Sequence, residues 1–261
     1  MLSDAQWAVL EPLVEACRPK AKTFPQDLRR TLSAILWRYQ NGAIWRAIPR
    51  ESGPWWRAAQ IFIRWSRGGV WERRLGLVQE RGVQLGMVFL DGTNMRAHQK
   101  AAGAAGKGGP AAERDDREAL GRSRGGYGTK ACVIADGAGR ANGAGRAIAF
   151  RIAPGQAHER PHALPLLDRL PDVPRWVVAD RGYSSRRFRQ QIAEAGAKPA
   201  LPSKRNEAPV RCPDWIYVNR NIVERLWARL KEGRAVATRY EKTATSFSGI
   251  LCLAATLDHL T

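Results

Sequence analysis

The period of the apolar positions changes along the chain, and the change falls near residue 85. Before it the spacing is helical. Leu28, Leu32, Ile35, Leu36 and Tyr39 recur on one face while Arg29, Arg30 and Arg38 lie mostly elsewhere, which predicts an amphipathic helix from Leu28 to Tyr39. A second helix is predicted from about Trp55 to Trp65, and Ser3-Asp4-Ala5-Gln6-Trp7 reads as a helix cap followed by an amphipathic turn. Seven of the ten tryptophans (Trp7, Trp37, Trp45, Trp55, Trp56, Trp65, Trp71) fall before residue 85, interleaved with arginines. Residues 1–84 therefore read as a small all-helical, Trp-rich domain, its tryptophans mostly core and its arginines available to a partner.

After Gly86 the pattern becomes short apolar runs of buried-strand length: Met87-Val88-Phe89-Leu90, Ala131-Cys132-Val133-Ile134, Ala147-Ile148-Ala149-Phe150 and Trp176-Val177-Val178-Ala179. Helical patterns at about His162 to Leu170, Ser184 to Ala195 and Arg220 to Glu232 separate or follow them. Strands clustered first and strand-helix alternation later predict a mixed α/β sheet over residues 85–261. The stretch from Lys100 to Gly126, rich in Gly, Ala, Arg and Asp, is expected to be a mobile loop between the first two strands. Gly137-Ala-Gly-Arg-Ala141 recurs after Asn142 as Gly143-Ala-Gly-Arg-Ala147, a six-residue tandem duplication expected to lengthen a hairpin turn.

Composition narrows the function classes. The 261 residues are 44% hydrophobic and 26% charged, values of a folded globular protein. Lys and Arg number 43 against 24 Asp and Glu, a formal charge of +19 that attracts polyanions and makes nucleic acid the first partner to consider. No amphipathic anchor, membrane span or leader pattern is legible. Cys17, Cys132, Cys212 and Cys252 are scattered without a Cys-x-x-Cys pair, which suggests neither a zinc ligand set nor a disulfide framework and fits a reducing cytoplasm.

Two-metal chemistry on a DNA phosphodiester needs carboxylates brought together around hard cations such as Mg²⁺. Asp91 directly follows the first apolar run and Asp180 the fourth, each at the carboxyl end of a predicted strand. Asp136 ends a strand too, yet it opens a Gly-rich turn and needs no other explanation. Tyr217, Arg220, Glu224 and Lys231 fall within about 60° of one another on a helix, beside an apolar stripe of Val223, Trp227 and Leu230. From such a face the Glu can reach a metal while Tyr, Arg and Lys contact phosphates. The structural alternative is a solvated charged face. His98, His158 and His162 stay unassigned, since a hard-cation site does not require imidazole.

Tyr217-x2-Arg220-x3-Glu224-x6-Lys231 resembles the Tyr-Arg-Glu-Lys signature of bacterial insertion-sequence DDE transposases. The segment Asn221-Ile-Val-Glu-Arg-Leu-Trp-Ala-Arg-Leu-Lys231 with Ala237-Thr-Arg-Tyr-Glu-Lys242 is similar to the insertion-sequence-five branch. Leu90-Asp-Gly-Thr-Asn-Met-Arg-Ala-His98 resembles the first-Asp block, and Ala179-Asp-Arg-Gly-Tyr183, with Arg181 a further DNA-contact candidate, the second. Leu2-Ser-Asp-Ala-Gln-Trp7, Asn41-Gly-Ala-Ile-Trp-Arg-Ala-Ile-Pro49 and Gly69-Val-Trp-Glu-Arg73 resemble the helical domain.

The resemblance implies a ribonuclease-H-like catalytic domain (85–261) behind a helical DNA-end-binding domain (1–84). It implies a triad of Asp91, Asp180 and Glu224 holding two Mg²⁺, with Mn²⁺ as a substitute, and DNA contacts from Tyr217, Arg220 and Lys231, with Lys130 and Arg181 as further candidates. It also implies terminal inverted repeats and target DNA as partners, a homodimer pairing two ends, and bacterial cytoplasm as the location. The rival readings are a catalytically retired DNA-binding regulator and a ribonuclease-H-like nuclease, with an RNA-binding module opposed by the lack of an aromatic stacking motif on the strands.

Overall fold

The computed structural model describes residues 2–19, 27–79, 85–103, 111–137 and 145–260. Helix α1 (Asp4–Cys17) starts as the sequence predicts. Ser3 caps it by accepting from the Gln6 amide, and Gln6 answers through its side chain. Helix α2 (Leu28–Asn41) buries Leu28, Leu32, Ile35 and Tyr39 and ends at Gly42, whose φ of 59° is the left-handed cap that glycine adopts without strain. Helix α3 (Trp55–Arg67) and helix α4 (Val70–Gln79) complete the N-terminal group.

Strand β1 (Met87–Ala97) opens the sheet, followed by α5 (Ala111–Glu118), β2 (Gly121–Ser123), β3 (Gly126–Asp136), β4 (Arg146–Pro154), α6 (Ala163–Leu167), β5 (Trp176–Ala179), α7 (Arg186–Glu194) and β6 (Lys198–Ala200). Helices α8 (Asp214–Tyr217), α9 (Asn221–Glu232) and α10 (Arg234–Ala237), strand β7 (Thr238–Arg239) and helix α11 (Ala244–Leu260) finish the chain. The fold is mixed α/β. Strand β1 runs antiparallel to β3 and parallel to β5, β3 pairs β4 antiparallel, and β5 pairs β6 parallel. No helix among the described residues is long and apolar enough to cross a membrane.

Side chains alternate across a strand, and the two faces of the sheet enter different cores. Phe89, Met95, Val133 and Val178 join one core with α9, α11 and the N-terminal helices, including Phe62, Trp65 and Trp71. Val88, Leu90, Cys132, Ile134 and Val177 join a second core with Leu166 of α6 and Phe188 and Ile192 of α7. The N-terminal helices thus pack directly on α11. A Cβ at Gly249 would come 2.6 Å from Ser66 Oγ and 2.8 Å from the Trp71 ring, so α11 and the α3–α4 corner are in close contact.

Several expectations are corrected. The 100–126 segment is not a plain loop, for it contains α5 and β2, while residues 104–110 lie outside the described residues. The duplicated Gly-Ala-Gly-Arg-Ala turn also falls outside them, apart from its ends. Arg38 is not available to a partner. It is buried on α2, 2.7 Å from Glu241, with its guanidinium over the Trp45 ring. A buried arginine needs such a counter-charge, because desolvation of the ion otherwise costs several kcal/mol. Conversely Trp55 and Trp56 are exposed rather than core, with Arg46 and Arg57 over their rings.

The 237–242 segment is an anchor. Arg239, fully buried, donates to the Glu241 carbonyl and to the Ala119 carbonyl, and also meets Thr129 and the Glu118 carbonyl. It thereby ties β7 to the end of α5 and to β3.

Candidate active site

Asp91 does not follow a strand, as its run of apolar neighbours suggests, but lies within one. Antiparallel pairing with β3 continues from Val88 to Arg96 and carries β1 through Asp91. The parallel pairing with β5 stops at Leu90 and Ala179, so Asp91 stands where β1 loses that neighbour. Asp180 follows the last residue of β5. It closes a tight turn in which its Oδ1 accepts from the Gly182 amide at 2.8 Å. Both aspartates therefore sit where the parallel part of the sheet ends, a usual position for a site in an α/β sheet.

The face that Asp91 shares with Phe89, Thr93 and Met95 is the face covered by α9. Arg220 ends a 3-10 turn of residues 218–220 that leads into α9. Its Nη2 is 2.8 Å from Glu224 Oε1 and its Nη1 is 3.8 Å from Asp91 Oδ1. Two turns along α9, Lys231 Nζ donates to Thr93 Oγ1 at 2.8 Å. Burial pulls the Lys231 ammonium below its ordinary value, opposed by the Asp91 charge. The 3-10 turn also alters the expected face. Tyr217 is on the short α8, before the break, and packs half-buried against the core instead of extending the stripe of Arg220, Glu224 and Lys231.

The electrostatics mark Asp91. Burial pushes its carboxyl up to about 6, Arg220 opposes the shift, and the charges of Glu159 and Asp180 add to it. Glu159 is the residue that sequence reasoning missed. It lies against the backbone of Gly92 and pairs with Lys130 at 2.8 Å. Lys130, expected to meet DNA, lies on the strand face opposite Asp91, because the register sets it across from Asn94 and sets Cys132 across from Gly92. Arg181 is exposed in the turn after Asp180. Asp136 is fully buried, accepts from the Arg146 amide at 3.0 Å and has no part in the site. His98 stacks on Tyr240, away from the carboxylates.

Asp91 and Asp180 thus stand side by side at the end of the parallel pairing, and Arg220 connects Asp91 to Glu224, whose side chain is 60% exposed. Among the described residues no three His, Cys, Asp or Glu side chains converge as a ready metal site, since Glu224 is held by Arg220. The donor set nevertheless fits a hard divalent cation. It consists of carboxylate oxygens, and among the described residues the buried Asp91 makes no ion pair closer than the one with the Arg220 guanidinium at 3.8 Å.

Comparison with known proteins adds to this geometry. Residues 2–75 match the family model described as "Putative transposase of IS4/5 family", and residues 177–261 match the model "Transposase DDE domain". An uncharacterized Sinorhizobium fredii protein, y4sN, is 34% identical over 104 residues, covering 40% of this chain and 82% of that protein. The "Putative transposase for insertion sequence element IS6501" of Brucella ovis is 33% identical over 114 residues, covering 42% of this chain and 85% of its own length. The corresponding transposase of element IS402 from Burkholderia cepacia is 32% identical over 100 residues, which span 46% of its length. Among solved structures the chain is matched, at a TM-score of 0.36 and 10% identity, to a piggyBac transposase solved by cryo-EM as a synaptic complex with hairpin DNA, with 78% of this chain and 42% of that one covered. With both blocks in order along the sequence, the chain belongs to the IS4/5 family of insertion-sequence transposases and carries their DDE domain.

Proposed function

We propose that this chain binds the terminal inverted repeats of an insertion sequence, cleaves the DNA ends by metal-dependent hydrolysis and transfers the 3′ ends into target DNA. The observation that carries this reading is the meeting of Asp91 and Asp180 where the parallel pairing ends, with Arg220 linking Asp91 to Glu224. The strand order β4-β3-β1-β5-β6, antiparallel on one side of β1 and parallel on the other, supports a ribonuclease-H-like catalytic domain over 85–261. Residues 1–84 are the DNA-end reader, and two copies on paired ends act as a homodimer in the bacterial cytoplasm.

Asp91, Asp180 and Glu224 would hold two Mg²⁺, which Mn²⁺ can replace, and the metals supply activation of the attacking oxygen and charge neutralisation at the phosphate. The chain's own groups position. Arg220 neutralises the carboxylates while DNA is absent and turns to the phosphate when it arrives. Lys231, held by Thr93, presents its ammonium beside Asp91, and exposed Arg181 meets the backbone of the DNA next to Asp180. Tyr217, half-buried, steadies the start of α9 and offers its hydroxyl at the edge.

The test is incubation of the protein with linear DNA ending in the element's inverted repeats, with and without Mg²⁺. Nicking at the repeat ends followed by joining to a second DNA is expected. Cleavage that survives Asp91→Asn, or that never proceeds to joining, would reject the transposase reading in favour of another nuclease activity.

A further inference from the structure

On the face of β1 opposite Asp91, a carboxylate rests on the backbone of Gly92. A Cβ at Gly92 would stand 2.5 Å from Cδ and 2.8 Å from Oε1 of Glu159, so the missing side chain makes the room that this carboxylate fills. Glu159 belongs to the turn between β4 and α6, where its backbone carbonyl accepts from the His162 amide. Lys130 Nζ meets Oε1 at 2.8 Å, with side-chain exposures of 13% and 20%. A pair this sheltered is screened by salt far less than a surface one.

Gly92 directly follows Asp91 on β1, so the Glu159 carboxylate lies one residue from Asp91, with the strand backbone between them. Beyond Leu90 and Ala179 strand β5 no longer flanks β1, so only the β1 backbone, paired on its other side with β3, lies between the two faces there. Gly92 is thus a thin point between Asp91 on one side and Glu159 on the other.

We infer that Glu159 is a positioning residue of the same site: from behind Gly92 its charge reinforces the pull of Asp91 and Asp180 on a divalent cation, and Lys130 is the counter-ion that restrains that pull. The inference rests on the metal-binding reading of Asp91 and Asp180. It makes the two partners of one ion pair act in opposite directions on the cation, which a merely structural pair does not.

The experiment titrates the full-length, DNA-free protein with Mn²⁺ and follows free Mn²⁺ by its electron paramagnetic resonance signal. Glu159→Gln should weaken binding by about tenfold, as is usual when an outer carboxylate of a metal site is lost. Glu159→Asp should keep most of the affinity, and Lys130→Met should tighten binding several-fold. Thermal melts of each variant report folding. If both Glu159→Gln and Lys130→Met lower the melting temperature and leave Mn²⁺ affinity unchanged, the pair is structural and the inference is overturned. Should Glu159→Gln fail to fold, a folded Lys130→Met with unchanged or weaker Mn²⁺ binding overturns it as well. Asp91→Asn separates the two levels. If it abolishes Mn²⁺ binding while the Glu159 and Lys130 variants shift nothing, only the role of Glu159 fails; if it leaves Mn²⁺ binding intact, the metal reading fails and Glu159 falls with it.

Discussion

Nη1 of Arg220 stands 3.8 Å from Oδ1 of Asp91, and the charge of this guanidinium is the foremost influence opposing the upward push of burial on that carboxyl. A cation in that position competes with a metal for the same carboxylate. Removing it should therefore separate metal binding from catalysis. In Arg220→Gln the DNA-free protein is expected to bind Mn²⁺ more tightly, by several-fold, whereas end cleavage falls by about tenfold or more for want of a phosphate contact. Calorimetry with Mn²⁺ beside a cleavage assay checks both. Weaker Mn²⁺ binding in the variant would show that Arg220 supports the carboxylates instead of standing in for their cation.

The helix α9 allows function and packing to be told apart within a few residues. Glu224 has a 60% exposed side chain, so Glu224→Gln should change stability by no more than about 0.5 kcal/mol while cleavage drops by orders of magnitude. Leu230 is 1% exposed in the main core, and Leu230→Ala should cost about 2–5 kcal/mol through lost burial and the cavity left behind. Urea unfolding and cleavage rates of the two variants give the contrast. A Glu224→Gln protein that unfolds early, or still cleaves with Mg²⁺, removes the third acid from the reading.

Much of this site was legible in the sequence. Asp180 could be placed because Trp176 to Ala179 is a short, wholly apolar run, and such runs are buried strands that stop at the first charge. The same rule misplaced Asp91. Strand β1 does not stop at the charge, because β3 continues to pair with it, and a pairing partner cannot be read from a period. Lys130 and Glu159 were hidden for a related reason. Which face Lys130 occupies depends on the β1–β3 register, and Glu159 lies in a turn without periodicity; the available signal was the glycine directly after Asp91. Arg38 looked free because its counter-charge, Glu241, is far along the chain. The expected single face from Tyr217 to Lys231 failed at the 3-10 turn, whose tighter winding rotates Tyr217 toward the core.

Asp136 gives a pH test outside the site. It is fully buried at the end of β3, and burial pushes its carboxyl from 3.8 up to about 6, opposed by the Arg146 amide and charge. A folded-state value above the unfolded one means that folding favours the protonated form. The resulting stabilisation is complete below about pH 4 and is lost as the pH rises through about 6. Asp136→Asn keeps an acceptor for the Arg146 amide and cannot ionise. It should thus raise stability near pH 7.5 by about 1–3 kcal/mol, with the gain fading on acidification. Urea midpoints across this range check the sign. A gain that is independent of pH would mean that the Asp136 carboxyl titrates alike in the folded and unfolded protein, so that burial does not raise it.

The proposed role of residues 1–84 in reading DNA ends calls for substitution rather than truncation. Phe62, Trp65 and Trp71 of the N-terminal helices share one core with Phe247, Ile250 and Leu251 of α11, and Ser248 donates to Glu72 at 3.1 Å. Deleting residues 1–84 would bare that face of α11, so loss of DNA binding in the fragment would report unfolding. The outward side of α3 avoids the difficulty. Ala58, Ala59, Phe62, Trp65 and Ser66 are buried there, while Gln60, Arg64 and Arg67 are exposed along the opposite side, below the exposed Trp56. If these arginines meet phosphates of the repeat, each contact releases about one counterion. Arg64→Gln with Arg67→Gln should then weaken end binding and lower the slope of log affinity against log salt by about 2. Their exposure means that stability should move by no more than about 0.5 kcal/mol. Binding titrations at several salt concentrations, on repeat DNA and on unrelated DNA, make the comparison. An unchanged slope would take α3 off the DNA, and an equal loss on both DNAs would mean that it holds the backbone without reading the ends.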